Sequence, residues 1–273
     1  MTAYGLELDS IVFAYPDGER KTTASPSGDR LAGGGADTQS PPVLDGASLG
    51  VAPGAKVGIL GANGSGKSTL LGIIAGLHEP RAGTVRVGDI LVAKKTLKAA
   101  RLRLGFVFQD PDDQLFTGSV YDDVAFGPRN AGLSDAEVRE RVESALATVG
   151  IPELAERPPF RLSGGEKRMA AIATVLSMDP GILVLDEPSA ALDPKARRRL
   201  IRLLSGLPQT VVIATHDLDL ALDVCGRAAI LHAGRVEAYG DSRAVLGDAA
   251  LLERCGLEPP LSSGSCAICG RRP

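Results

Sequence analysis

Residues Gly61-Ala62-Asn63-Gly64-Ser65-Gly66-Lys67-Ser68 narrow the possible folds of this chain more than any other stretch. They fit G-x-x-x-x-G-K-[ST] and stand between a short apolar run, Val57 to Leu60, and a segment of helical period expected from Lys67 to Leu77. Strand, glycine turn and helix in that order form a phosphate-binding unit. The glycines let the backbone wrap an anion with its N–H groups pointing inward, and the helix N-terminus adds partial positive charge. Lys67 supplies a full charge for β- and γ-phosphates, and the Ser68 hydroxyl is the expected Mg²⁺ ligand.

A second acidic feature lies far downstream. Ile182-Leu183-Val184-Leu185 runs into Asp186-Glu187, which places two carboxylates at the C-terminal edge of a buried strand, where open α/β sheets bind ligands. Asp186 is expected to hold Mg²⁺, either directly or through the ion's own ligands, and Glu187, one step nearer the γ-phosphate, can polarise a water for in-line attack. Alone, such a pair also suits a solvated turn; the phosphate-binding unit upstream gives it a purpose.

Composition sets the limits around these sites. The chain has 273 residues, 44% of them hydrophobic, enough for a proper core, and a formal charge of −3 that draws it neither to nucleic acid nor to anionic lipid. Its apolar runs fall short of the roughly 20 residues that span a bilayer, so membrane contact is expected only through partners. Glu7 and Asp9 stand where a signal peptide would be basic and then apolar, which points to the cytoplasm. Four cysteines make no disulfide framework.

Strands are expected over Leu6 to Tyr15, Val43 to Val51, Thr84 to Val87, Gly105 to Phe108 and Val211 to Ala214. From 17 to 42 the chain is Gly, Ser, Thr, Pro and charge, and reads as a flexible insertion in a surface loop. Ser134 and Glu137 form a capping box that opens a helix with Val138, Val142, Leu146 and Val149 on its apolar face and Gly150 at its end. A mostly helical insert interrupts the α/β core between about 110 and 179, and no internal repeat is evident. The catalytic domain is expected over 1–240, followed by a C-terminal helix and a cysteine-containing tail over 241–273.

Further motifs arrive in an order that resembles the ABC ATPases, over about Leu6 to Asp241. Leu162-Ser163-Gly164-Gly165-Glu166 is similar to that family's signature motif, and Ser189-Ala190-Ala191-Leu192-Asp193 to its D-loop. His216 matches the switch histidine, Gln109 the Q-loop glutamine, and Tyr15 the aromatic residue that stacks on adenine. Taken alone, Tyr15 suits a core position and His216 an ordinary strand end. The resemblance implies a P-loop NTPase core with a helical signature subdomain and an antiparallel β subdomain. It also implies ATP and Mg²⁺ as ligands, with nucleotide contacts from Tyr15, Gly61, Asn63, Gly64, Ser65, Gly66, Lys67, Ser68, Thr69, Gln109, Ser163, Gly164, Gly165 and Asp186. Glu187, His216 and Gln109 take the catalytic roles, and Ser68, Gln109 and Asp186 the metal.

Ser163-Gly164-Gly165 opens another helix and so makes a second anion site. In the family's architecture it cannot fold onto its own phosphate loop, so it serves the ATP of a second ATPase subunit, facing head to tail. A complete motif set lets both sites of a homodimer work, although pairing with a different ATPase stays open. The stretch Phe108 to Phe116, continued by Asp122 to Pro128, is similar to energy-coupling-factor ATPases, and His216-Asp217-Leu218-Asp219-Leu220 looks most like their cobalt and nickel uptake branch. That resemblance implies an integral membrane coupling subunit and a substrate-binding membrane subunit as partners; the vitamin branch stays open. Cys266-x-x-Cys269, preceded by Cys255, supplies half of a tetrahedral zinc site, and either a metal-sensing tail or idle thiols fits. Cys225 is expected as a small buried apolar residue on a helix.

Overall fold

The structure, a computed structural model, describes residues 2–16 and 41–263. The expected insertion over 17–42 therefore lies outside the described residues apart from Pro41 and Pro42, as do Cys266 and Cys269.

Apolar runs too short for helices form the central strands. β1 (Leu6–Phe13), β2 (Leu44–Val51), β3 (Lys56–Leu60), β4 (Ala82–Val87), β5 (Ile90–Leu91), β6 (Leu104–Val107), β7 (Ile182–Asp186), β8 (Thr210–Thr215), β9 (Arg227–His232) and β10 (Arg235–Asp241) sort into two sheets. The larger has the order β10-β9-β3-β8-β7-β6, parallel from β9 to β6, with β10 added as an antiparallel hairpin. Every residue of β7 and β8 is buried, as strands covered by helices on both faces require. The smaller sheet, β2-β1-β4-β5, is antiparallel. In β2, Leu44, Ala47, Leu49 and Val51 turn inward and their neighbours outward, the alternation of a sheet wet on one face.

The helices are α1 (Lys67–Ile74), α2 (Leu97–Arg103), α3 (Val120–Asn130), α4 (Asp135–Val149), α5 (Gly164–Leu176), α6 (Pro194–Gly206), α7 (Leu218–Val224), α8 (Ser242–Gly247) and α9 (Ala249–Arg254). The apolar residues of α1 pack between the two sheets, with Leu70, Ile73 and Ile74 beside Leu6, Ile59 and Val184. A second core joins α3, α4, α5 and α6 to the outer face of the larger sheet, and a third packs α7, α8 and α9 on β3 and β9.

Three sequence expectations need adjusting. α1 ends at Ile74 and not at Leu77, because Gly76 takes φ 65° and the Leu77 N–H turns back to the Gly72 carbonyl at 2.8 Å. That is a glycine-terminated helix end, and its signal was the Gly itself. The single C-terminal helix is two, since the Asp248 side chain accepts from the Leu251 N–H and starts a new helix where α8 stops. The first strand stops at Phe13, so Tyr15 lies beyond it. By contrast, the capping box at Ser134 and Glu137 opens α4, and Gly150 closes it at φ 72°. Cys225 lies at the C-terminal cap of α7, and burial pushes its thiol up to about 12. Cys255, also buried, packs in the third core beside Leu252.

Candidate functional site

Four parallel strands of the larger sheet, β3, β6, β7 and β8, deliver the chemistry at or just past their C-terminal ends. β3 leads into Gly61–Gly66, whose turn requires positive φ at Gly64 (81°) and Gly66 (104°), a region that side chains disfavour. Gly61 is needed for close approach: a methyl there would overlap the Leu231 carbonyl oxygen of β9 and stand 2.5 Å from the Ser65 hydroxyl. Gly61→Ala is therefore expected to push the loop off β9, weakening ATP binding at least tenfold and costing about 1–3 kcal/mol of stability. Isothermal titration and urea unfolding would check both numbers.

Lys67 is buried and its ammonium donates to the carbonyls of Gly61, at 2.7 Å, and Ala62, at 3.2 Å. Two of its three donors are thus spent on its own loop, leaving one for a ligand. Burial lowers its proton affinity, while Glu187 and Asp186 oppose that. Asp186 ends β7 next to the Ser68 hydroxyl; burial raises its pKa, and the hydrogen bond from Ser68 works against the rise. Asp186 Oδ1 is buried without a hydrogen-bond partner. An orphaned carboxylate oxygen beside a serine hydroxyl fits a hard, oxygen-seeking cation such as Mg²⁺.

Glu187 follows in the left-handed region, φ 44°, a conformation that costs a non-glycine residue about 1–2 kcal/mol. The turn aims its carboxylate across to β8, where Asp186 pairs with Ala214. There Oε2 accepts from Thr215 Oγ1 at 3.0 Å and from the His216 N–H at 3.3 Å, and it lies 2.9 Å from His216 Nδ1. Oε1 is 4.0 Å from the Lys67 ammonium. The His216 side chain is 61% exposed and lines the smaller of the two cavities at this site.

These groups border two adjoining cavities. One of about 360 Å³ is lined by Asn63, Lys67, Ser68, Thr69, Glu187 and His216; the other, of about 1150 Å³, by Tyr15, His78, Phe106, Phe108 and Asp186. Gly64, Ser68 and Gln109 border both, so a polar, phosphate-sized end opens into a wider end with aromatic walls. The Tyr15 hydroxyl is 3.0 Å from Thr69 Oγ1, and its ring meets Phe13 and His78 edge-on. Tyr15, Gly61, Asn63, Gly64, Ser65, Gly66, Lys67, Ser68, Thr69, Gln109, Asp186, Glu187 and His216 are thus gathered in one place. Ser163, Gly164 and Gly165 are not among them. They sit at the N-terminus of α5, where Ser163 and Gly164 are exposed and Ser163 shares a capping box with Glu166.

Three contributors escaped sequence reasoning. Thr215 bonds Glu187 and accepts the Asp217 N–H at 3.0 Å, and Asp217 in turn binds Arg197 and Ser189. Gln114 accepts the Phe108 N–H at 3.2 Å. Arg168, 2% exposed, donates to the Phe108 and Gln109 carbonyls. A signal existed for Arg168: it shares the helical face of Ile172 and Val175, both buried.

The family model for ABC transporters matches residues 44–190. An ABC transporter ATP-binding protein of Geobacter sulfurreducens is 52% identical over 99% of this chain and 100% of its own length. The cobalt import ATP-binding protein CbiO of Rhodobacter capsulatus is 48% identical over 80% of each chain. Among solved structures, cbiO1 of Clostridium perfringens, part of the transporter complex cbiONQ, superposes with a TM-score of 0.76 at 34% identity, covering 92% of this chain and 94% of that one. The ATP-binding cassette MJ0796, a dimer in a post-hydrolysis state with ADP and Pi, gives 0.73 at 28% identity, over 87% and 99%.

Proposed function

The chain belongs to the ABC transporter family as an ATP-hydrolysing subunit, and from that premise we propose that it works as a homodimer on the cytoplasmic face of the cell membrane, driving uptake of cobalt or nickel. Its partners are an integral membrane coupling subunit and a substrate-binding membrane subunit. No described helix is long and apolar enough to cross a membrane; in this reading the membrane is reached through those partners.

One observation carries the catalytic reading: Lys67, Asp186, Glu187 and His216 converge from three strand ends on two adjoining cavities, with Lys67, Glu187 and His216 on the phosphate-sized one and Asp186 on the wider one. Adenine stacks on Tyr15, and the loop Gly61–Gly66 wraps the phosphates with its N–H groups. Ser68, Asp186 and Gln109 would hold Mg²⁺, which would supply positive charge to offset that of the phosphates. Glu187 takes a proton from the attacking water while Thr215 and the His216 backbone hold its carboxylate in aim. His216 reaches the γ-phosphate from the exposed side. The exposed N-terminus of α5, with Ser163, Gly164 and Gly165, seats the triphosphate held by a facing copy, so nucleotide binding becomes dimer closure.

The metal cargo is supported by likeness to CbiO of Rhodobacter capsulatus and to the cbiONQ component, and by the stretches Phe108 to Pro128 and His216 to Leu220. A tagged copy purified from membranes is expected to bring a small integral membrane protein with a metal-binding companion, and vesicles carrying that complex to take up cobalt or nickel only with ATP. Recovery of ribosomes or DNA would overturn the transport reading. Uptake of a vitamin without either metal would overturn the cargo.

A further inference from the structure

A buried guanidinium with no carboxylate in hydrogen-bond reach needs an explanation, because burying a charge without a close counter-charge is costly. Arg168 is such a group: 2% exposed, its Nε without a partner, its nearest charges Asp110 and Asp186 acting only at a distance. What it does hold is backbone. Nη1 donates to the Phe108 carbonyl at 2.8 Å and Nη2 to the Gln109 carbonyl at 2.6 Å. Those two oxygens bracket the Gln109 Cα, so fixing both fixes the direction in which the Gln109 side chain leaves the chain.

The anchor is itself secured. Gln114 accepts the Phe108 N–H and donates to the Ala171 carbonyl at 2.8 Å and to Thr174 Oγ1 at 2.7 Å, both on α5. Lys167, next to Arg168, pairs with Asp112 at 2.6 Å. The segment carrying Gln109 is thereby riveted to α5 from Lys167 to Thr174, a helix whose N-cap is Ser163.

We propose that Arg168 is a positioning residue for Gln109, locking the metal-facing side chain of one nucleotide site to the helix that serves the facing copy. This rests on the reading of Gln109 as a Mg²⁺ contact given above. Movement of α5 on dimer closure then redirects Gln109 without any contact between Arg168 and nucleotide.

A double-mutant cycle tests it on the purified full chain, with ATPase rates titrated in both ATP and Mg²⁺ and Mg²⁺-free ATP binding measured separately. Arg168→Met is expected to lower kcat about tenfold and raise half-saturating Mg²⁺ several-fold, leaving Mg²⁺-free ATP affinity within about twofold. Arg168→Lys, which keeps the charge but reaches one carbonyl only, should recover part of the loss. Gln109→Ala should match Arg168→Met, and the double variant should be no worse than Gln109→Ala alone. Effects that multiply would overturn the proposal, as would wild-type Mg²⁺ dependence in both Arg168 variants. Should Arg168→Met fail to fold, Arg168→Lys completes the same cycle. A silent Gln109→Ala alongside loss of binding in Lys67→Ala would refute the Gln109 role, and this inference with it, while leaving the nucleotide site standing.

Discussion

Glu187→Gln is expected to bind ATP as tightly as the parent chain and to turn it over about 10³-fold more slowly, a barrier increase of about 4 kcal/mol. The geometry explains why the two properties separate. A glutamine oxygen can still accept from Thr215 Oγ1 and from the His216 N–H, so the residue keeps its place at the end of β7. What it cannot do is take a proton from water. Closure driven by nucleotide then has no exit through hydrolysis, and size-exclusion chromatography with Mg·ATP should show a persistent dimer. Wild-type turnover in this variant would remove Glu187 from the base role. A chain that stays monomeric with turnover blocked would remove the facing-copy mechanism.

Lys67→Ala should act one step earlier, on binding itself. The ammonium is the only described cation lining the smaller cavity, and charge-assisted bonds to phosphate are worth about 1.5–3 kcal/mol each. Loss of roughly 10²-fold or more in ATP affinity is the expected result in a fluorescent-nucleotide titration, along with loss of the thermal shift that ATP confers. Part of the effect is local, because the substitution strips the Gly61 and Ala62 carbonyls of their donor and removes a positive charge that offsets Asp186 and Glu187. Affinity equal to that of the parent chain would count against the phosphate-binding role of the loop.

The phosphate loop and the carboxylate pair were readable because their chemistry is written in consecutive residues. Glycines announce a turn, an apolar run announces a buried strand, and Lys67 and Asp186 need no distant partner to be recognised. Partners that meet only through sheet register were not readable. Thr215 matters because β7 lies beside β8 with Asp186 opposite Ala214, a pairing no local pattern states. Arg168 matters because α5 lies against the segment after β6, 60 residues earlier in sequence for Phe108. Tyr15 was named by resemblance, yet its bond to Thr69 spans 54 residues and two elements. The overrun of α1 to Leu77 had a different cause: apolar periodicity continues past the point where Gly76 turns the backbone over.

The backbone at Glu187 has a practical corollary for anyone evolving this chain toward heat resistance. Its left-handed φ of 44° suits glycine or asparagine better than glutamate. A library ranked on melting temperature alone would accordingly enrich those two residues at this one codon. The winners would be sturdier and inert, so any such campaign has to score phosphate release in the same round.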